Sequence, residues 1–509
     1  MTQRRNEGFS APGRFFGDAA SVRLTSGSGP RIARLFHSLL ALVLLDAWIS
    51  LGSQVQLLIG SRGLLPLAPL VDSLQGREAA IWFRFPSLFL LGASDTALDA
   101  GIIAGCGLAV ATLLGFLPRL ALSISAALYL SYVVACRDFT SFQWDNLLIE
   151  CLVLAVLLPR RRGAPFAHLL LRFLLFKLYL ESGIAKAQSH LGDWFDGSAM
   201  SYYYETAPLP AWPGWYAHQL PEIWHQIESW GAIGLEGLGA FLVLGPRPAR
   251  LAALLGFTGF HLINLATASY GFFVLLALAL HVFLLDEGDL DALSRFRRKL
   301  PSWSSWRARL PSGSLPNSLQ RVATGIAVAC GLVWMVASVA TGLTHFVASE
   351  TLAKVVQPII SPLRPFRVAN TYHLFSHITR DRIEPEFQLQ TQDDERWQPL
   401  AMHYKPGPVT RPPRLATPHQ PRVDFLLWFY GLSFRQQTPE YISRLLERLC
   451  HDPEAMAPLF VEPLPPKPRA IRIEFWRYHF TTAEERRDTG AWWKRTSLAS
   501  SLPISCAAQ

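Results

Sequence analysis

The sequence predicts a polytopic α-helical membrane bundle of about nine spans followed by an exported soluble α+β domain, and three observations carry that prediction. Half of the 509 residues are hydrophobic and 12% aromatic, while only 17% are charged, a balance more apolar than soluble domains show. Apolar runs of about 16 to 23 residues recur as far as Val347, close to the ~20 that a hydrocarbon core requires. Beyond Val347 these runs give way to short alternations and amphipathic helical patterns.

Residues 1–34 place Arg4, Arg5, Arg14, Arg23, Arg31 and Arg34 among Gly, Ser and Pro and read as a disordered basic tail. The bundle is expected over 35–347. Its first run, 35–51, is longer than a signal-peptide core and lacks a small-residue cleavage site, so it reads as a first span, with Asp46 inside it. The stretch 79–92 reads as an interfacial helix. Ser94 caps a span over about 97–117, Pro118 opens another reaching Cys136, and further runs end at Leu158 and near 187. A polar, aromatic loop at 188–229 follows. Spans near 230–245, 251–268 and 270–285, the last pair alternatively one longer element around Tyr270, precede a basic connector at 286–320 and a final span near 321–343.

The arginines test this count, because they must fall on alternate sides of successive spans. With the basic tail inside, nine spans put Arg119, the Arg160-Arg161-Arg162 run, the PRPAR turn and the RFRRKL connector inside. The 188–229 loop and everything after Val347 then lie outside. The net charge of +9 sits in these short runs, which excludes a nucleic-acid surface as its meaning. The six cysteines show no CxxC or histidine-rich spacing, and neither a metal site nor a cofactor fingerprint is expected. Cys450 and Cys506 can pair if their region is exported, although two free thiols is the simpler reading.

Residues 348–509 are expected to form the exported domain, with alternations at 387–391, 400–404 and 470–480 as strands and helices at 424–433 and 439–450. The polar groups inside the spans call for explanation, since each charge costs on the order of 3 kcal/mol at mid-bilayer. Lys177 and Glu181 lie one helical turn apart and can pair; Lys186 stands near the end of the same span. Either these make an internal ion pair with a snorkelling lysine, or Lys186 sits in a water-poor pocket as a usable base, tuned by Glu181 or Glu150. Asp145 reads as a helix cap in FQWDNLLIE. Asp46, Glu236 and His261 complete a set of intramembrane polar groups expected to face one another. The rings of the 188–229 loop suit an aromatic belt or a docking surface at the mouth of that polar cavity.

FQWDNLLIE, GIAKAQSHLGDW with MSYYYETAPLP, NTYHLFSHITRDR at 370–382, HYKPGPVTRPP at 403–413 and PHQPRVDFLLWF at 418–429 together resemble the lipase maturation factor family, over nearly all of the chain after the tail. The resemblance implies a multi-pass protein that helps secreted clients such as lipases fold and assemble. It would sit in the endoplasmic reticulum membrane, or in a bacterial inner membrane with its C-terminal domain in the periplasm. Asn370, Tyr372, Arg380, Tyr404, Lys405, Pro406, Gly407, Pro412, Pro413, Pro418, Arg422, Asp424 and Trp428 match the exported-domain pattern, with Trp428 expected in its core. The expected client-binding set is Tyr202, Tyr203, Tyr204, Glu205, Asn370, Tyr372, Arg380, Lys405, Arg422 and Asp424; membrane lipids are the other partners. A fainter similarity, GIAKAQSHLGDWFDGSAM, is to the lysine-containing segment of vitamin K-dependent gamma-carboxylase, in which Lys186 matches the catalytic base. It implies an alternative, a membrane enzyme acting on a lipid or quinone-like substrate. A solute transporter fits less well, given the large exported domain and the absence of an internal repeat.

The alternation of arginines predicts that reporter fusions at Gly163 and Ser302 report cytoplasm and those at Ser198 and Gln392 the opposite side. A cytoplasmic signal at Gln392 would overturn the nine-span arrangement.

Overall fold

The computed structural model describes residues 29–74, 80–159, 163–296 and 317–506. Most of the basic tail, the Arg160-Arg161-Arg162 run and much of the 286–320 connector lie outside the described residues. In chain order the bundle contains α1 (Pro30–Gly52), α2 (Asp95–Leu114), α3 (Pro118–Ala135), α4 (Gln143–Val156) and α5 (Pro165–Ala187). It continues with α6 (Ala199–Thr206), α7 (Trp212–His218), α8 (Glu222–Gly237), α9 (Arg247–Thr267), α10 (Phe273–Leu280) and α11 (Asn317–Phe346).

Among the described residues, six helices are long and apolar enough to cross a membrane: α1, α2, α3, α9, α11 over Thr324–Phe346, and α8 together with the 3-10 turn that carries it to Leu244. The other three expected spans coincide with helices that fall short of that standard for visible reasons. At 14 residues α4 is too short, α5 carries four charges, and α10 reaches only Leu284 through a 3-10 turn. The expected interfacial helix at 79–92 is reduced to a single turn at Ile81–Arg84 and a 3-10 turn at Leu88–Leu91. The loop at 188–229 is largely helical, and α8 begins at Glu222 rather than near 230.

Local chemistry sets the helix ends. Ser94 accepts a hydrogen bond from Ala97 N–H and caps α2, as read from the sequence, while Pro118 opens α3 at a position where no N–H is needed. Two glycines decide how closely α5 and α8 approach. A Cβ on Gly183 would lie 2.5 Å from the backbone nitrogen of Gly237, so only hydrogen fits there, and the crossing brings Glu236 beside Lys186.

Past α11 come α12 (Glu350–Ile360), the strap described below, and a five-stranded antiparallel sheet with two helices against it. Its strands are β1 (Arg382–Thr391), β2 (Gln398–Pro399), β3 (Pro468–Phe480), β4 (Trp493–Ser500) and β5 (Ile504–Ser505). The order is β2-β1-β3-β4, with β5 also on β3. Against it lie α13 (Arg422–Leu432) on β1 and α14 (Glu440–His451) on β3, the latter burying Tyr441, Ile442, Leu445, Leu446 and Leu449 along one stripe. A short helix, α15 (Ala483–Thr489), bridges β3 and β4 behind a capping box from Thr482 and Glu485. The strand expected at 400–404 is replaced by a loop with one isolated bridge, between Met402 and Phe460, and with hydrogen bonds from the backbone N–H of Leu400 to the Phe387 carbonyl and from that of Tyr404 to the Asp424 carboxylate. The apolar core runs without a break from Ile32 in α1 to Trp493 in β4.

Cys450 and Cys506 are joined in a disulfide, which corrects the reading of two free thiols and ties β5 to the end of α14. Replacing both by serine should destabilise the sheet by on the order of 4 kcal/mol, from the loop entropy restored to the unfolded chain. Thermal unfolding of the purified protein with and without reductant checks this. An unreduced wild type that unfolds with the serine variant would refute the link.

Candidate functional site

The buried charges of α4 and α5 meet the segment 367–381, an irregular strap that packs into the bundle before becoming β1. Glu150 lies seven residues into α4 and Lys177 ten residues before the end of α5, which places them ~10–15 Å below the helix ends. Such groups need partners inside the protein, and the strap backbone supplies them. Asn370 donates to Glu150 Oε1 through both its backbone N–H (2.6 Å) and its side-chain amide (2.5 Å). Tyr372 N–H donates to Glu181 Oε2 at 2.8 Å, and His373 N–H to Gln143 at 2.9 Å. In the opposite sense, Lys177 donates to the carbonyl of Asn370 and Lys186 to that of Leu374 (2.9 Å). Farther along, Ile378 N–H reaches Asp193 at 2.8 Å.

The side chains also pair among themselves. Lys177 and Glu181 are 3.2 Å apart, as their spacing predicts, and Lys186 pairs with Glu236. Lys186 is 1% exposed and lies 5.0 Å from the ring of Trp194, so the amine required by the enzyme alternative is held by Glu236, a carbonyl and an indole face. His261 bonds Tyr179 through Nε2 at 2.9 Å, and Tyr179 in turn bonds His281, while Nδ1 of His261 has no partner among the described residues; Asp46 lies on α1.

A second junction joins α13 to the bundle. Arg422 is buried and donates in bidentate fashion to Asp145 at 2.8 and 2.9 Å and to the carbonyl of Phe139, while Tyr129 donates to the same carboxylate at 2.6 Å. Asp145 therefore does not cap α4, although it sits in the first turn. Before Arg422, Gln420 N–H donates to Ser50, and Arg422 N–H to Gln54. A third junction surrounds Arg382, whose guanidinium pairs with Glu384 and donates to the carbonyls of Glu205, Ala207 and Pro208. Lys405 completes the group at 2.8 Å from Glu384, with burial lowering its pKa despite that carboxylate. Burial likewise pushes the Asp424 carboxyl up to about 6, opposed by the N–H of Tyr404 and by Lys405.

The expected client-binding residues thus divide. Tyr203, Tyr204, Glu205, Tyr372, Lys405, Arg422 and Asp424 are buried, and Asn370 is a strap anchor. Tyr203 bonds Tyr270 and Tyr204 bonds Glu228. Glu205 accepts from Phe480 N–H and faces His479 at 3.3 Å; burial disfavours its charge, but these bonds and His218 hold its pKa below the usual value. Tyr202 and Arg380 stay partly exposed, with the guanidinium 4.3 Å from the ring centroid and a bond to Ser198. Trp428, expected in a core, is only half-buried and donates to the carbonyl of Thr206. Gln143, Asp193 and Arg382 are structural partners whose role the sequence reading missed, since their acceptors and donors are backbone groups distant in the chain.

Fold and site together define an integral membrane protein whose C-terminal sheet is locked to its helices through buried polar junctions. The lipase maturation factor transmembrane domain matches residues 31–292, and the lipase maturation factor C-terminal domain matches 368–503. The chain belongs to the lipase maturation factor family. It is 28% identical to human lipase maturation factor 2 across 94% of this chain and 83% of the relative. Mouse lipase maturation factor 1 is 28% identical over 91% and 85%, and the human lipase maturation factor 1 is 27% identical over 98% and 94%. No solved structure matches. The gamma-carboxylase alternative finds no support in these relatives or in the setting of Lys186.

Arg422→Met should cost roughly 3–5 kcal/mol, because it strands the buried Asp145 carboxylate, and adding Asp145→Leu should recover much of that loss. Thermal unfolding of both variants checks this; a double variant no more stable than the single one would show that the junction's hydrogen bonds matter more than its charge balance.

Proposed function

We propose that this protein is a multi-pass maturation factor that assists the folding or assembly of secreted, lipase-like clients. Its residues 35–347 form the bundle, with α4, α5 and α10 completing nine spans. Residues 348–509 and the 188–229 segment face the non-cytoplasmic side, either the lumen of the endoplasmic reticulum or a bacterial periplasm. The Cys450–Cys506 disulfide supports that side, because such bonds persist in oxidising compartments. Membership of the family and the names of the relatives support the client class.

The observation that carries the reading is the strap. A backbone segment held by Glu150, Glu181, Gln143 and Asp193 fixes the sheet, α6 and α7 in one orientation, so they offer a preformed surface. Arg486 strengthens this unity, lying 3.6 Å from the Trp492 ring centroid and 4.6 Å from that of Trp215 in α7. On that surface Tyr202 and Arg380 are the members of the expected set that a client can reach. The remaining members shape it from within.

In cells secreting a lipase client, Tyr202→Ala combined with Arg380→Ala should weaken client capture roughly tenfold, about 1.4 kcal/mol, while the protein itself stays folded. Lys186→Ala should instead lower the amount of folded protein. Secreted client activity and the thermal stability of the protein are measured together. Client yield that is the same with and without the protein would sink the reading, and an unaffected rim variant would remove Tyr202 and Arg380 from it.

A further inference from the structure

A cavity of about 1660 Å³ lies beside the strap, between the start of α4, α13 and the Ile81–Phe85 turn. It exceeds the ~300–1,000 Å³ of pockets for ordinary small molecules. Phe142, Trp144, Phe425 and Phe429 make much of its wall. Among the described residues its charged lining is four arginines, Arg84, Arg137, Arg364 and Arg367, against one acid, Asp138. Arg137 stands 4.0 Å from Glu440; Arg84, Arg364 and Arg367 form no ion pair within the described residues. Trp144 is 5% exposed, and its indole N–H has no partner among the described residues; the same holds for Nδ1 of His373 and Oγ1 of Thr379, which also line the space.

The outside of this wall is apolar in the way of a membrane interface. Only Val347, Ala348 and Ser349 separate the end of α11 from α12, which exposes Val355 and Ile359 while turning Ile360 into the cavity. Across the opening, Phe83 is 68% and Leu91 79% exposed, and the Phe83 ring meets that of Phe366 at 6.3 Å. An amphipathic helix that directly follows a span, on the same cavity as an exposed aromatic turn, has the pattern of an interfacial helix.

We propose that this cavity binds a phospholipid with an anionic headgroup, drawn from the adjoining leaflet, with its phosphate at Arg84, Arg364 and Arg367 and its acyl chains along the Phe142–Trp144 and Phe425–Phe429 walls. A long apolar wall edged by cations that form no ion pair among the described residues is the complement of an anionic amphiphile, whereas a free phosphate leaves the aromatic volume unused. The assignment does not depend on the client reading.

The test uses the full chain in nanodiscs of phosphatidylcholine containing a minority of phosphatidylglycerol that carries a photoreactive acyl chain. Labelling is expected on peptides containing 142–146 and 425–432, with phosphatidylglycerol retained by the protein in native mass spectra. Arg84 and Arg364 are exposed, so Arg84→Gln with Arg364→Gln leaves packing intact. At about 1 kcal/mol for each arginine, this variant should lose roughly 30-fold in phosphatidylglycerol retention. Arg84→Lys with Arg364→Lys, which keeps the charge, should stay near wild type. Labelling confined to the outer faces of α9 and α11, equal retention of phosphatidylcholine, or a glutamine variant that behaves as wild type would overturn the proposal. So would displacement of the lipid by inorganic phosphate alone, or displacement by a secreted client peptide that labels the same wall.

Discussion

Two sets of groups in this protein cannot be buried alone, and each is the other's partner. Glu150, Glu181 and Lys177 are charges placed below the ends of α4 and α5, and Lys186 is buried in the last turn of α5; unpaired burial would cost several kcal/mol each. The strap is backbone drawn into the bundle without a sheet or helix to satisfy it, and buried peptide groups need partners just as strictly. Carboxylates take the N–H groups of Asn370 and Tyr372, and ammonium groups take the carbonyls of Asn370 and Leu374. Removing either side leaves the other unsatisfied. The bundle and the sheet for that reason share their main apolar core, despite the change in sequence character at Val347.

The other junctions obey the same rule at greater height. Arg422 with Asp145 fixes where α13 enters, and Arg382, with Glu384 and Lys405, fixes the start of β1 against the end of α6. Buried ion pairs of this kind add little net stability compared with apolar packing, but they tolerate almost no change of register. Their value here is orientation. A surface held rigid in this way spends none of any binding free energy on ordering its own loops.

Much of this was legible in the sequence, and the gaps have physical causes. The spacing of Lys177 and Glu181 gave their pairing because helical geometry is local. The cost of intramembrane charge marked Glu150, Lys186 and Glu236 as needing partners, but not which ones, since Asn370 and Leu374 lie about two hundred residues away in the chain. Asp145 was taken for a cap because its position in the first turn is equally right for that role; only Arg422, brought in by α13, decides otherwise. Helices α4, α5 and α10 follow the apolar pattern but are short or charged and largely buried among other helices, so length and composition alone do not mark them as spans. Strand β4 went unread because WKRTSLAS carries its polar residues on an exposed edge and lacks a hydrophobic alternation.

The strap also connects the buried charges to the cavity, for Asn370, His373, Leu374 and Ile378 line that space while their backbone groups are held by the bundle. Any occupant that contacts these residues in the folded protein, and not in the unfolded one, adds its binding free energy to the clamp. The relation is reciprocal: whatever loosens the clamp weakens the occupant by the same amount. The sheet surface that the strap orients would thereby be coupled to an occupant of that cavity, through backbone that contacts both.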